Sequence, residues 1–494
     1  MEEVDLGGLK IRQITSFQKI WTVSGGGPDN AGASFFEPSP IPDGYSMLGS
    51  YAQPNNKQLF GWVLVASDKS GDILKQPSNY TLIWHSDDNK AFFWLPTPPD
   101  GYKPLGLLVT ATPDIPSLDR IRCVRSDFTA DAEVDNWIWN HGMNVYGLRP
   151  KTRGTNAQPL SAGTFVIQSD TVPLSCLINK NTESTGRLNQ LQMMSMFQTY
   201  APYIYFHSDE EYLPSTVDWF FSNGALLYKK GESNPVRVEP DGANLPQGGR
   251  GDGTYWLDLP TDGRAKDAVK KGDLNIAKPY IHFKPIFGGT FTDIQVWVFY
   301  PFNGHATAKV GFIKRLSMGR VGEHVGDWEH VTLRVSNFNG ILYGVYLAQH
   351  SGGKWVDAST LEYESGNKFA VYASRNGHAA NDRGGLYLQG GNTVGIRNDW
   401  EKSGKVMDTG ARFLVVSAEA EAEMVVEPPW LNFNSKWGPT KDYDTASEVR
   451  KLKKWLPGKL KKALMNLVKV LDQVFGMDGP AGPKTKASWN GDES

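Results

Sequence analysis

"FFEPSPIPDGYSMLG" at residues 35–49 returns as "FFWLPTPPDGYKPLG" at residues 92–106. Pro42-Asp43-Gly44-Tyr45 and Leu48-Gly49 align with Pro99-Asp100-Gly101-Tyr102 and Leu105-Gly106, and two phenylalanines open each copy. An Ile-Trp pair precedes each copy (Ile20-Trp21, Ile83-Trp84). A third pair, Ile138-Trp139, precedes a degenerate unit ending near "AGTFVIQS". Strand-like runs, "FGWVLVAS" and "LGLLVTAT", follow the turns. No one small sheet of this size can bury its inner face alone, so three copies must pack around a common axis. The repeat predicts a three-fold β-prism over residues 1–175.

Working outward, residues 176–200 read as a linker and short helix. A second domain, an antiparallel β-sandwich, is expected over 201–440. Its strands are "IQVWVFYPF" (294–302), "HVTLRVSNF" (330–338), "GILYGVYLAQ" (340–349), "KFAVYASR" (368–375) and "ARFLVVSA" (411–418), separated by Gly, Asn and Asp. The tail, 441–494, changes character. In "VRKLKKWLPGKLKKALMNLVKVLDQVFG" (449–476), Leu460, Leu464, Leu467, Leu471 and Phe475 form one helical stripe, with Lys459, Lys461, Lys462 and Lys469 off it. Pro457-Gly458 breaks or kinks it. The fold expected is therefore mostly β: prism, sandwich, then a basic amphipathic helix. That helix is either docked on the sandwich or membrane-active through Lys453, Lys454, Trp455, Lys459, Lys461 and Lys462.

A chain of 494 residues exceeds one ordinary core, and 16 Trp, 19 Tyr and 23 Phe supply the bulk for two. The formal charge of −2 gives no field for nucleic acid. Two cysteines, Cys123 and Cys176, do not make a disulfide scaffold, and the sequence leaves open whether they pair. The opening MEEVDLGGLKIRQ lacks an apolar signal segment, and no run reaches membrane-span length. The expected location is cytoplasmic or peripheral to a membrane.

The chemistry concentrates in "GEHVGDWEHVTLRV", 322–335. On a strand, Asp327 and Glu329 share a face with Val331, Leu333 and Val335, while Trp328 and His330 point the other way. Two carboxylates on an inward face repel unless compensated. A hard divalent cation, Ca2+ or Mg2+, would compensate both, with His324 folding back as a further ligand. The alternative is an ordinary surface pair at the strand end.

Over most of its length the chain resembles the plant vacuolar protein sorting-associated protein 62-like family. The motifs are "FGWVLVA", "GGTFTDIQVWVFYPFNG", "GEHVGDWEHVTLRVSNFNG", "QHSGGKWV", "EPPWL" and "GPKTKASWNGDE". The repeats also resemble the membrane-associating β-prism of multivesicular-body subunits, which implies affinity for acidic lipid. More distantly, the second domain is similar to necrosis- and ethylene-inducing-like cytolysins, whose G-H-x-H-D-W-E heptad holds a divalent ion. That resemblance implies ligand roles for His324, Asp327 and Glu329. Val325-Gly326 stands where that family has a variable residue and its second histidine. Asn303, in "VFYPFNG", replaces a further acidic ligand and brings an oxygen without charge. "SRNGHA" (374–379) resembles a Ser-x-His-Gly element and adds His378 as a ligand-binding candidate.

Elsewhere, the loop Gly25-Gly26-Gly27 with Asp29 suits a tight prism turn or a hexose site. "IYFHSDEEY" (204–212) reads as a solvated turn, and His350 as a strand-end histidine. No nucleophile elbow or nucleotide motif is present. The function favoured is a non-enzymatic defence or toxin protein, cytolytic or insecticidal, binding lipid or glycan headgroups with a divalent cation and able to form homo-oligomers on membranes. Alternatives are a peripheral trafficking protein, a metal-dependent hydrolase and a lectin-like protein.

Overall fold

The computed structural model describes residues 3–167, 173–181, 188–349, 352–389, 394–418, 425–453, 458, 460, 462 and 478–493. Two compact units divide the chain. One comprises Met1–Leu188, Pro285–Asp293 and Arg334–Tyr343; the other comprises Asn189–Lys284, Ile294–Leu333 and Gly344–Ser494.

The first unit is built on three antiparallel three-stranded repeats. They are Phe17–Val23, Ala33–Pro38 and Tyr51–Pro54; then Asn79–His85, Phe92–Thr97 and Leu108–Thr110; then Thr129–Asn140, Asn144–Pro150 and Phe165–Ile167. The Ile-Trp pairs now acquire a cause. Trp21, Trp84 and Trp139 pair with Phe35, Phe93 and Val145, and in each case the preceding isoleucine is skipped by the ladder. Successive strand residues normally point to opposite faces, but a one-residue bulge lets both turn inward. All three isoleucines and all three tryptophans pack in one cluster. The indoles form a triangle with each centroid separation at 5.8 Å.

The third copy has Val145 where the others have Phe35 and Phe93. Its ring comes instead from Phe165 on the next strand, 5.4 Å from Phe35 and 5.9 Å from Phe93. At the position shared by Gly49 and Gly106 the third copy has Thr164. Its methyl fills the axis, lying 2.6 Å and 2.7 Å from where a Cβ on either glycine would sit. This is the expected three-fold β-prism. The stretch read as linker contributes a strand to this unit, Ser175–Ile178, paired with Thr129–Asn140. Cys123 and Cys176 are buried and unbonded to each other, and burial pushes both thiols up to about 12.

A six-stranded sheet, most of whose residues belong to the second unit, runs in the order Gly352–Asp357, Leu342–Gln349, His324–Ser336, Phe291–Asn303, Tyr280–Ile286, Leu414–Ala418. A further sheet runs Tyr363–Ser365, Lys368–Ala373, Tyr203–Phe206, Val406–Asp408. Ile204, Val371 and Ala373 of that sheet face Val296, Val298 and Tyr300 of the first, which makes the sandwich. Two of the pairings are parallel, Tyr203–Phe206 with Lys368–Ala373 and Tyr280–Ile286 with Leu414–Ala418. Alternation of apolar residues does not encode strand direction, so these parallel pairs leave no mark in the pattern.

The central strands are covered on both sides. Trp297, Phe299 and Trp328 pack against Trp430, Phe433 and Trp437, with Trp328 5.5 Å from Trp430 and 5.2 Å from Trp437. On this side the terminal segment enters the core. Glu493 accepts hydrogen bonds from Gln295 Nε2 (2.9 Å), His330 Nε2 (3.1 Å) and Thr332 Oγ1 (2.6 Å). Lys284 Nζ donates to the Ser488 and Gly491 carbonyls, and Trp489 stacks on His282 at 3.9 Å.

Gly106→Ala is expected to lower the stability of the prism unit by about 1–3 kcal/mol through overpacking, measured by thermal or chemical unfolding. Thr164→Gly in the same chain should recover part of the loss; no recovery would mean that the axis is not where the clash occurs. For Glu493, burial alone would raise the carboxyl, but the His330 and Thr332 hydrogen bonds and the Lys284 charge bring it from 4.5 down to about 2. The unfolded chain therefore binds the proton first, and the contribution of Glu493 is complete above pH 4.5 and lost as pH falls toward 2. Glu493→Gln should remove on the order of 2–3 kcal/mol at neutral pH and flatten stability against pH across that window. A wild-type slope retained in the variant would assign the acid loss to another group.

Candidate functional site

His324–Ser336 is a thirteen-residue strand, so the whole H-x-x-D-x-E pattern is strand rather than loop. Gly326 sits within it at φ +66, and a Cβ there would lie 2.4 Å from the Trp437 carbonyl. No side chain, histidine included, fits that position.

Asp327 is buried and accepts a 2.9 Å hydrogen bond from His378 Nδ1, whose Nε2 donates to the Tyr212 carbonyl at 3.0 Å. Both ring nitrogens thus face acceptors. Tyr300 stacks on the His378 ring at 3.8 Å. The turn that delivers His378 is strained, with Asn376 at φ +65 and His378 at φ +55. Glu210 holds it, accepting from the Asn376 amide at 2.6 Å and from the Tyr212 amide at 2.9 Å. In "IYFHSDEEY" the chain does turn, with Ser208, Asp209 and Glu211 exposed, but Glu210 departs from a solvated turn: it is buried as the clamp of the His378 turn.

Glu329 lies one strand step along the same face and lines a small cavity between the sheets with His378, Tyr300 and Val331. The space open to water centres there is ≈ 20 Å³, enough for about one water. Glu329 makes no hydrogen bond to a described residue. Burial, then the neighbouring Asp327 charge, hold its carboxyl well above the usual range. Burial would also raise Asp327, but the His378 hydrogen bond and the adjacent His324 keep it below the usual range. The like-charge problem is met by two unlike acids, one held ionised by its hydrogen bond to His378 and one protonated.

His324 has its pKa lowered, chiefly by burial. The neutral ring donates from Nδ1 to the Gly326 carbonyl at 2.7 Å, leaving Nε2 with a lone pair. Asn303 Nδ2 donates to the Gly304 and Gly322 carbonyls, tying one strand end to the loop before His324. The donor types suit a hard divalent ion. Among the described residues, however, no three His, Cys, Asp or Glu side chains converge as ligands would.

The Gly25–Asp29 loop belongs to the prism unit, whereas His378 belongs to the other. Trp139 Nε1 donates to the Gly25 carbonyl at 3.0 Å, and a Cβ on Gly26 would meet the Asn140 carbonyl at 2.4 Å. Asp29 is exposed and accepts from Asn56 Nδ2 at 2.8 Å. Of the basic candidates, Lys453 ends the helix Thr445–Lys453 and Lys462 is exposed. Lys454, Trp455, Lys459 and Lys461 lie outside the described residues, as does His350.

The family model for vacuolar protein sorting-associated protein 62 (Vps62) matches residues 1–493. The chain belongs to the Vps62 family. No curated protein matches it. Among solved structures it is similar to GNIP1Aa from Chromobacterium piscinae, at 21% identity and TM-score 0.29, over 39% of this chain and 40% of that one. It is also similar to NLPPya in complex with glucosamine (13% identity, TM-score 0.23, 41% of this chain and 73% of that one). A third is Necrosis and Ethylene inducing Protein 2 from the causal agent of cocoa's Witches Broom disease (12%, TM-score 0.22, 42% and 74%). The match thus spans about two fifths of the length of GNIP1Aa.

In this Vps62-family chain the residues that sequence reasoning missed are Glu210, Tyr212 and Tyr300. Each acts on His378 from a distant segment, and none carries a periodic signal. The unbroken apolar run around Tyr300 did signal a strand buried on both faces. Asp327→Asn should cost about 3–5 kcal/mol by stranding the buried His378 partner. Glu329→Gln, a neutral stand-in for a protonated acid, should stay within about 1 kcal/mol of wild type. Urea unfolding compares the two; equal losses would mean that Glu329 is ionised and paired.

Proposed function

We propose that this protein acts at membrane surfaces without being an enzyme, engaging lipid or glycan headgroups. The observation that carries this reading is the seat of its basic C-terminal segment. Leu460 packs against Gly311 and joins the apolar cluster of Val310, Ile396 and Val449, while Lys462 is exposed two residues on. A segment seated by Leu460 with Lys462 outward is suited to an anionic leaflet. The family's name, vacuolar protein sorting-associated, agrees with work at membranes. The reading has two forms: a peripheral trafficking component, and a defence or toxin protein that oligomerises and permeabilises its target.

The divalent cation enters the proposal in a narrow form. The side chains as placed do not fit a closed three-ligand site, so Ca2+ or Mg2+ would have to displace the Glu329 proton and lie beside Asp327.

Flotation and dye release from vesicles carrying anionic lipid or plant-type sphingolipid, with calcium or with chelator, test the whole reading. Wild type should bind anionic vesicles. Reversing Lys459, Lys461 and Lys462 to glutamate should weaken binding by well over about tenfold, at ~1 kcal/mol per lysine removed. Leakage would mark the toxin form, and binding without leakage the trafficking form. A calcium effect lost in Glu329→Ala would support the ion; no binding under any condition would end the membrane reading.

A further inference from the structure

The strands Thr307–Val310 and Ile313–Ser317 form a hairpin at the edge of a four-stranded sheet, closed by the two residues Gly311 and Phe312. Gly311 takes φ +59, the conformation that such a turn asks of its first position. A side chain there would also strike Leu460, since a Cβ would lie 2.8 Å from its Cδ2. The underside is fixed: Ala308 and Val310 are buried in a cluster with Met318, Val321 and Ile396. Phe312, at the second turn position, is 78% exposed. A lone exposed phenylalanine is ordinary on a protein surface. This one stands at the most protruding point of a hairpin whose two arms carry cations.

The placing of those cations is the second observation. Ala308 pairs with Leu316 and Val310 with Ile313, so Lys309 lies opposite Lys314 and Arg315. Like charges across a ladder are destabilising unless something neutralises them. Arg315 is neutralised by Asp209 and Asp399. Lys309 and Lys314 form no ion pair with any described residue. The hairpin thus keeps an apolar tip and two uncompensated ammonium groups just behind it.

We infer that this hairpin is a wedge that places Phe312 among the acyl chains of an acidic phospholipid bilayer while Lys309 and Lys314 bind the headgroups. The inference rests on the membrane reading above and assigns it an insertion element and a lipid class. An aromatic tip gains by leaving water, and the lysines gain only if the leaflet is anionic. Binding through this element therefore requires acidic lipid and weakens as salt screens the lysines.

Both native cysteines of the full chain are buried, so Phe312→Cys creates the accessible thiol needed for an environment-sensitive dye. Val236→Cys, at a position 56% exposed on a different sheet of the same unit, is the control. With phosphatidylcholine–phosphatidylserine vesicles the dye at 312 should brighten and shift to the blue, with no change at 236 and none on phosphatidylcholine alone. Phe312→Ser and the pair Lys309→Glu with Lys314→Glu should each weaken sedimentation with acidic vesicles by about tenfold or more, with unchanged melting temperature. Wild-type sedimentation with a silent dye at 312 and full binding by both variants would overturn the wedge and leave the membrane reading standing. Failure of wild type to sediment with any vesicle would overturn both.

Discussion

A strand enclosed on both faces cannot hold ionisable side chains unless each is matched, because an unpaired buried charge costs several kcal/mol. The strand His324–Ser336 carries Asp327 and Glu329 toward one face and His330 and Thr332 toward the other. Much of the second unit follows from that constraint. Asp327 is matched by His378, brought in on a strained turn that Glu210 and the Tyr212 carbonyl hold in place. Glu329 is matched by keeping its proton. On the opposite face, His330 and Thr332 are matched by Glu493, whose own charge is supported by Lys284.

The same constraint separates what the sequence could reveal from what it could not. The spacing of Asp327 and Glu329 on one face was legible, since strand geometry alone fixes it. Their partners were not, because His378, Glu210 and Glu493 come from segments far along the chain. A two-residue spacing of acids reads the same whether an ion or a proton resolves the repulsion. The prism was legible for the opposite reason. Its information is repeated three times, and even the Ile-Trp pairs, visible as a signature, mark a shared local device. Their meaning as bulges became clear only from the register, which shows each isoleucine bypassed by the ladder.

Polar groups in this protein thus do two kinds of work. Those on the central strand are compensated internally, and their first consequence is for stability. Lys309 and Lys314 on the hairpin, and Lys462 near Leu460, have no ion pair with a described residue, and Lys314 and Lys462 are exposed. Arg315, tied to two aspartates, and Lys314, its immediate neighbour without one, show the distinction within two adjacent residues. A dense cluster of titratable residues is therefore a poorer guide to a contact surface here than a few cations whose counter-charges are missing.

The tryptophan triangle also sets an order of assembly. Each prism repeat is a three-stranded sheet built around a hairpin of neighbouring residues, and hairpin contacts form within microseconds because little chain must be closed. Trp139 reaches Trp21 only when the third repeat meets the first, across more than a hundred intervening residues, which is slow by the same reasoning. The aromatic axis is therefore complete only with all three repeats in place, since Trp139 and Phe165 close the cluster that Trp21, Trp84, Phe35 and Phe93 begin.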